Sequence, residues 1–159
     1  MSRGRIRSDT RRKCCSARPI PKYYANGPCL GRSLRPMSRR TLIAVVDDDE
    51  SVRESLPDLL RQFGFASRAF SSAEAFLASD VVGDTSCLIL DIALPGMSGP
   101  DLQQELARLG RAMPIIFITG RRDEKDRARL IAGGAVACLF KPFSEAALLE
   151  GLRAALRLS

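Results

Sequence analysis

Four of the five apolar segments in this sequence end beside a polar residue that could take part in chemistry. Asp47 and Asp48 follow the first segment, and Asp91 follows the third. Thr119 ends the fourth, and Lys141 follows the fifth. In open sheets of parallel strands, ligands bind beyond the carboxyl ends of the strands. We therefore expect these five side chains to converge at one edge of a sheet.

A convergence of carboxylates needs a cation. Two carboxylates about 4 Å apart repel each other by about 4 kcal/mol at an effective dielectric constant of roughly 20. The 159 residues include no histidine, which excludes Ser-His-Asp catalysis, histidine-ligated zinc and a phosphohistidine carrier. Oxygen ligands without His or Cys are typical of a hard divalent ion. The predicted cofactor is therefore Mg²⁺ at Asp47, Asp48 and Asp91.

Phosphoryl transfer onto a carboxylate suits such a site, with one aspartate as the nucleophile and an acyl phosphate as the product. Asp91 is the best nucleophile candidate because it stands alone at its strand end, ahead of a Gly/Pro-rich loop at 94–99. The metal and Lys141 would neutralise phosphoryl oxygens, and the Thr119 hydroxyl would bond one of them.

Each of these motifs has a simpler explanation when it is taken alone. An Asp triplet at 47–49 before a helix often serves only as a helix cap. A lone Asp before Pro-Gly is usually a turn residue, and Lys-Pro after a strand is usually a solvated loop. Their joint occurrence at successive strand ends favours the functional interpretation.

The elements that must position these residues alternate in type from residue 41 onward. Short apolar segments are each followed by a segment of helical period, which is typical of a parallel sheet covered on both faces. Gly64 and Gly110 are predicted to end the first and third helices, Pro57 to bend the first, and residues 121–132 to form the fourth. The predicted strands are 41–46, 65–70, 86–90, 114–119 and 135–140. The predicted fold class is α/β, a flavodoxin-like (βα)5 doubly wound parallel five-stranded sheet.

Charge divides the chain into two predicted regions. The formal net charge is +7, but residues 1–36 carry +9 and residues 37–159 carry −2. We predict a disordered basic tail at 1–36, because it is rich in proline and lacks any apolar period, and one folded domain at 37–159. The tail is a basic arm for nucleic acid or anionic lipid, a targeting sequence, or sequence upstream of the native protein, with Met37 as an alternative initiator.

The remaining composition argues for a cytoplasmic protein. No apolar run approaches the roughly 18 to 20 residues that cross a bilayer, so we expect solubility and no membrane partner. The sequence has no C-x-x-C pair, which argues against zinc and thioredoxin-like sites. Cys87 and Cys138 lie in apolar stretches and are predicted to be buried thiols in a reducing cytosol.

Taken together and in order, the motifs resemble the receiver domain of bacterial two-component response regulators. The resemblance covers about residue 40 to the end and is strongest to the subgroup found in nitrogen-fixation-type transcription regulators. The motifs that carry it are V-V-D-D-D at 45–49, L-D at 90–91, P-G-M-S-G at 95–99, I-T-G at 118–120, G-A at 134–135 and K-P-F at 141–143.

This resemblance implies a role for each acidic residue. Asp91 would be the phosphoacceptor, taking a phosphoryl group from a sensor histidine kinase or a phosphotransfer protein. Asp48 and Asp91 would ligate Mg²⁺ directly, together with the carbonyl of Ala93. Asp47 would act on the metal mainly through bound water.

The resemblance also implies how phosphorylation is sensed. Thr119 would be the switch hydroxyl and Lys141 the phosphate partner, with a cis bond before Pro142. The family usually carries Phe or Tyr three residues before the lysine, where this sequence has Cys138. Cys138 is therefore an atypical switch residue.

The resemblance implies a signalling protein that catalyses only its own phosphorylation and dephosphorylation. The sequence ends at Ser159, so we expect a single-domain response regulator that signals through protein contacts. Its downstream target would bind the face formed by the fourth helix, fifth strand and fifth helix. The oligomeric state stays open, with a homodimer among the options.

Three other functions are compatible with part of the sequence. The main alternative is a phosphorylation-independent interaction module built on the receiver fold, because the switch is atypical. An aspartyl-phosphate hydrolase of the haloacid dehalogenase type is disfavoured, because Ala93 stands where a general acid would be needed. Nucleic-acid binding depends only on the tail, so we do not expect nucleic acid as a partner of the folded domain.

Overall fold

The computed structural model describes residues 40–157, which form five strands that alternate with five helices. The predicted disordered tail at 1–36 lies outside the described residues. Within 40–157, no helix combines the length and hydrophobicity that crossing a membrane requires. The elements are β1 (Leu42–Val46), α1 (Glu50–Gln62), β2 (Ala66–Phe70), α2 (Ala73–Leu77), β3 (Thr85–Asp91), α3 (Gly99–Arg108), β4 (Ile115–Thr119), α4 (Glu124–Ala132), β5 (Ala137–Phe140) and α5 (Glu145–Leu156).

The strands form one parallel sheet in the order β2-β1-β3-β4-β5. The order reverses between β1 and β3, so the carboxyl ends of these two strands flank the switch point where ligands bind in doubly wound sheets. The predicted flavodoxin-like (βα)5 fold is therefore confirmed.

Helices cover both faces of the sheet because alternate residues of each strand point to opposite faces. Ile43 and Val45 of β1 pack in a buried cluster with residues of α1 and α5. Ala44 and Val46 pack on the other face with residues of α2, α3 and α4. Two apolar layers thus pack against the central strands and fix the position of the residues at the strand ends.

Helix ends follow the predicted caps. Gly64 and Gly110 adopt positive φ angles of 89° and 68° directly after the cap residues of α1 and α3. The α1 helix continues through Pro57.

The fourth helix begins later than the predicted residue 121, because Asp123 is extended and caps α4 through a hydrogen bond from the Lys125 amide.

Strand bounds differ from the predicted ones by one or two residues. β5 begins at Ala137 rather than at the predicted residue 135, because the chain at Gly134 has a positive φ of 102° and is still leaving α4. β3 extends one residue beyond the prediction to include Asp91, which pairs with Ile118 of β4.

Candidate functional site

The register of the sheet brings the predicted site residues to one edge. Val46 of β1 pairs with Leu90 of β3, so the following residues, Asp47 and Asp91, are neighbours. Thr119 ends β4 and pairs with Phe140, the residue before Lys141. The convergence expected from strand ends alone is therefore observed.

Three carboxylates make up the acidic part of the site. Oxygen atoms of Asp47, Asp48 and Asp91 all lie within 4.8 Å of one another. Asp47 is fully buried and Asp91 is 6% exposed, whereas Asp48 faces solvent. The cluster is thus open to an incoming ion or phosphoryl group from the side of Asp48.

Lys141 bridges two of these carboxylates. Its Nζ donates to Oδ2 of Asp47 at 2.6 Å and lies 3.3 Å from Oδ1 of Asp91. The backbone holds it there, because the Lys141 amide donates to the Thr119 carbonyl at 2.8 Å. The peptide bond from Lys141 to Pro142 is cis, as predicted.

The site shifts the pKa values of its own groups. Burial raises the pKa of the Asp91 carboxyl above its ordinary value; the Lys141 charge opposes this rise, and the Asp47 and Asp48 charges add to it. Burial alone would lower the pKa of Lys141, but the hydrogen bond to Asp47 and the charge of Asp91 outweigh it and raise that pKa. Lys141 therefore remains an ammonium beside more negative charge than it can neutralise.

This donor set fits a hard divalent cation. Three carboxylates face one ammonium, and their oxygens lie close enough together to share one ion. The three side chains of the cluster offer only oxygen atoms as metal ligands, and oxygen is the ligand type that Mg²⁺ prefers. The residues present therefore fit the predicted metal.

Asp49, the third residue of the acidic triplet, is a helix cap. Its Oδ1 accepts from the amide and the hydroxyl of Ser51 at 2.9 and 2.7 Å, and these bonds lower its pKa. Its own amide donates to Oδ1 of Asp47 at 2.8 Å. Within the triplet, Asp49 therefore caps α1, whereas Asp47 and Asp48 belong to the acidic cluster.

The Thr119 hydroxyl is engaged with the loop after β4. Its Oγ1 accepts from the Arg121 amide at 3.1 Å and donates to the Arg121 carbonyl at 3.5 Å. Beside it, Cys138 is 5% exposed in β5 and lines a cavity of about 150 Å³ with Thr119 and Ile92. Burial raises the pKa of the Cys138 thiol. Cys138 and Thr119 therefore line the same open cavity, together with charged residues of the loop after β4 and of α4.

Residues 43–153 match the family model described as the response regulator receiver domain. The chain belongs to this family. The predicted resemblance to this family is thereby confirmed.

Curated relatives of this receiver domain include proteins named as response regulators and as transcriptional regulatory proteins. Nodulation protein W of Bradyrhizobium diazoefficiens is 48% identical over 118 residues, which cover 74% of this chain and 52% of that protein. The transcriptional regulatory protein FixJ of Azorhizobium caulinodans is 40% identical over 114 residues, which cover 72% of this chain and 54% of that protein. The chain thus spans about half the length of the curated relatives it matches.

Solved structures agree with this assignment. The response regulator StyR superposes with a TM-score of 0.69 at 42% identity, covering 75% of this chain and 60% of that chain. The structure titled FixJ-N superposes with a TM-score of 0.67 at 35% identity, covering 77% of this chain and 98% of that chain. The fold and the family therefore agree.

Two residues that support the receiver site were missed by sequence reasoning. Arg53 of α1 donates from Nη1 to the carbonyls of Asp47 and Asp48 at 3.1 and 2.7 Å. Glu74 of α2 accepts from the amide of Met97, 23 residues away, at 2.9 Å. Neither residue lies at a strand end, so the strand-end pattern that identified the other site residues could not identify Arg53 or Glu74.

Proposed function

We propose that this receiver domain accepts a phosphoryl group on Asp91 from a histidine kinase or a phosphotransfer protein, in a reaction that depends on Mg²⁺. The observation that carries the proposal is the placement of Asp91. Its carboxylate ends β3 within the acidic cluster and lies 3.3 Å from the Lys141 ammonium. A nucleophile, a cation and oxygen ligands for a metal thus meet in one place.

In the transfer, a carboxylate oxygen of Asp91 forms a bond to phosphorus as the bond from phosphorus to the histidine nitrogen of the donor breaks. Lys141 is placed to neutralise a phosphoryl oxygen, since its Nζ already lies beside the carboxylate. The Ala93 amide donates to Oδ2 of Asp91 at 3.2 Å and orients the carboxylate. Positioning and charge stabilisation supply most of the catalysis in phosphoryl transfer.

Mg²⁺ would be held by Asp48, Asp91 and the Ala93 carbonyl, with Asp47 acting mainly through bound water. When bound, the metal would supply positive charge to the phosphoryl oxygens. Lys141 neutralises only part of the cluster, which supports the need for this further charge.

Thr119 is proposed to report the phosphoryl group. Its hydroxyl is held by the backbone of Arg121, and a bond to a phosphoryl oxygen on Asp91 would release that contact. The loop from Thr119 into α4 would then shift. The change would reach the surface formed by α4, β5 and α5, where Ile131 is 42% exposed.

The partner that delivers the phosphoryl group is proposed to dock beside Lys141. A groove of about 450 Å³ lies between α1 and the loop from β5 to α5. Leu56, Leu59, Pro142 and Phe143 give it an apolar lining, and Lys141 stands at its edge. An apolar helix of a kinase or phosphotransfer protein fits this chemistry, and docking there would bring its phosphohistidine close to Asp91.

The proposed activity is signalling in the cytoplasm, with no enzymatic turnover beyond the protein's own phosphorylation and dephosphorylation. Within the described residues, Cys87 and Cys138 are both free and buried, as expected of a protein in a reducing compartment. The downstream target is proposed to be a protein that reads the surface of α4, β5 and α5.

A phosphorylation-independent interaction module is the second candidate function. Cys138 favours it, because this small side chain, which lines a cavity of about 150 Å³ with Thr119, has little buried area that could differ between two states of a switch. With weaker coupling between hydroxyl and surface, a partner would bind the surface of α4, β5 and α5 in both states.

Acyl phosphate labelling decides between these functions. With Mg²⁺ present, mass spectrometry should find one added phosphoryl group on the parent protein and none on the Asp91→Asn variant. Asp80→Asn is the matched control, since Asp80 is exposed and lies outside the cluster, and it should label like the parent. Labelling of the Asp91→Asn variant at the parental level would exclude Asp91 as the phosphoacceptor. An unlabelled parent that still binds its partner would favour the interaction module.

A further inference from the structure

A carboxylate on α2 holds the loop that follows the phosphoacceptor strand. Oε1 of Glu74 accepts a hydrogen bond from the backbone amide of Met97 at 2.9 Å. Met97 lies in the loop between β3 and α3, which also contains Ala93. The contact joins two parts of the chain that are 23 residues apart, and it crosses from one helix to the loop of the site.

The loop backbone is shaped to receive this carboxylate. Gly96 has a φ of 78°, and a Cβ atom added there would lie 2.8 Å from Oε1 of Glu74. The adjoining end of the loop is fixed separately, because Ser98 and Asp101 form a capping box at the start of α3. Leu94 is buried in the core and Met97 packs against it, and Glu74 adds a polar side-chain contact to the middle of the loop.

The α2 helix, which carries Glu74, is capped at its start and packed against the core. Ser72 caps α2 through the Ala75 amide at 3.1 Å, and Phe76 is fully buried in the core. The Phe76 ring packs edge-on against Phe70 of β2, with 5.5 Å between ring centroids. Because α2 is held in this way, the hydrogen bond between Glu74 and the Met97 amide can restrain the loop.

We propose that Glu74 is a positioning residue of the receiver site: its hydrogen bond to the Met97 amide keeps the β3–α3 loop in the conformation that presents the Ala93 carbonyl to the metal. This inference rests on the proposed function, because it assigns the Ala93 carbonyl to Mg²⁺. A residue that orients a metal ligand typically changes metal affinity 10- to 100-fold when it is removed. Glu74 is exposed, so we expect about a tenfold loss, at the lower end of that range.

The effect comes from the hydrogen bond and not from the charge of Glu74. The carboxylate is exposed to solvent, where salt screens its charge over roughly 8 to 10 Å. The Met97 amide is also the main cause that lowers the pKa of Glu74. A variant that keeps an acceptor of the same reach should therefore retain the function, and one that keeps only the charge should lose it.

Three substitutions separate these possibilities. Glu74→Gln keeps an acceptor oxygen at the same reach and removes the charge. Glu74→Asp keeps the charge and is one methylene too short. Glu145→Ala is the matched control, because Glu145 is an exposed carboxylate in the first turn of α5.

The first measurement is made without metal. Hydrogen exchange of the Met97 amide, followed by NMR, should be slow in the parent, Glu74→Gln and Glu145→Ala proteins. It should be at least fivefold faster in Glu74→Asp. Equal exchange in the parent and Glu74→Asp proteins would overturn the proposal, because the hydrogen bond would then restrain nothing.

The second measurement is a Mg²⁺ titration followed by backbone amide shifts, since the chain has no tryptophan. We expect parental Kd values for Glu74→Gln and Glu145→Ala and about a tenfold higher Kd for Glu74→Asp. The Met97 amide could exchange faster in the Glu74→Asp protein while that protein binds Mg²⁺ with the parental Kd. Glu74 would then anchor the loop without positioning a metal ligand, and the proposal would be wrong. If the parent binds no Mg²⁺ at all, the proposed function fails, and the exchange data still report on the anchor.

Discussion

At the scale of single residues, Lys141 supplies the positive charge that contacts the buried carboxylates of the candidate site. Its ammonium contacts fully buried Asp47 and nearly buried Asp91, and its own side chain is 24% exposed. Removing one partner of a buried pair leaves the other charge uncompensated. We therefore expect Lys141 to stabilise the fold, in addition to its proposed role as the phosphate partner.

We predict that, in the absence of Mg²⁺, Lys141→Met lowers the free energy of unfolding by about 3 kcal/mol, because buried Asp47 would lose its ion-pair partner. Urea denaturation with and without Mg²⁺ measures this loss. Mg²⁺ should recover part of it, since the metal offsets the same carboxylates. Lys125→Met, an exposed change on α4, should leave the free energy of unfolding within about 0.5 kcal/mol of the parental value, and an equal loss in both variants would contradict the assigned role.

Cys138 gives the second prediction at this scale. The cavity of about 150 Å³ beside it and Thr119 leaves space for a larger side chain, whose buried area could differ between the two states of the switch. We predict that Cys138→Phe widens the ratio of partner affinity between phosphorylated and unphosphorylated protein. Titration of the identified partner against both proteins, with and without acyl phosphate, gives this ratio. Asp91 labelling should stay unchanged, and a parental ratio in the variant would mean that the switch needs no aromatic residue.

At the scale of elements, the approach of α3 to the end of β3 depends on one glycine. A Cβ atom at Gly99 would lie 2.5 Å from the Asp91 carbonyl and 3.1 Å from the ring of Phe117. Backbone atoms cannot yield as the end of a flexible side chain can. The P-G-M-S-G motif thus includes a packing requirement at its final position.

We predict that Gly99→Ala lowers the free energy of unfolding by about 1 to 3 kcal/mol, because the added methyl group overpacks the start of α3. It should also slow acyl phosphate labelling, since the strain falls on the Asp91 backbone. Denaturant unfolding and labelling kinetics measure the two effects. Gly120→Ala is the control for stability, because a Cβ there meets no atom within 4 Å; destabilisation of both variants to the same extent would rule out the close approach as the cause.

The fourth helix differs from the fifth in how firmly it is held. α4 has one buried residue, Leu130, whereas α5 buries Leu148, Gly151 and Leu152. Elements with few buried apolar contacts open at lower free energy than the core. The helix that follows the Thr119 loop is therefore held by fewer buried contacts than α5, in keeping with the proposed switch.

At the scale of the whole molecule, metal binding and folding are linked through the acidic cluster. We predict that Mg²⁺ at ten times its Kd stabilises the parent by about 1.4 kcal/mol, a rise in Tm of about 4 to 6 °C. Asp48→Ala should remove most of this rise, because Asp48 is a proposed direct ligand. Thermal melts with and without Mg²⁺ measure both values.

The control for this prediction is Asp80→Ala, which removes an exposed carboxylate outside the cluster. It should keep the parental rise in Tm. An undiminished rise in Asp48→Ala would mean that Mg²⁺ stabilises the fold from another place.

The amino-acid sequence by itself determined the fold class and which residues meet at the site. Strand period and strand ends are local features, and the carboxyl ends of parallel strands share one edge, so Asp91, Thr119 and Lys141 could be placed together before any coordinates. The boundaries of α4 and β5 were off by two or three residues, because the Asp123 cap and the turn at Gly134 depend on local backbone geometry.

The tertiary structure decided how these residues are held. The pairing of Lys141 with Asp47 spans 94 residues, and the contact of Glu74 with the Met97 amide joins a helix to a distant loop. Such contacts depend on how elements pack and which rotamers that packing allows, and neither leaves a periodic signal in the sequence. The cavity beside Cys138 and Thr119 likewise depends on the tertiary structure, because the residues that line it come from separate segments of the chain.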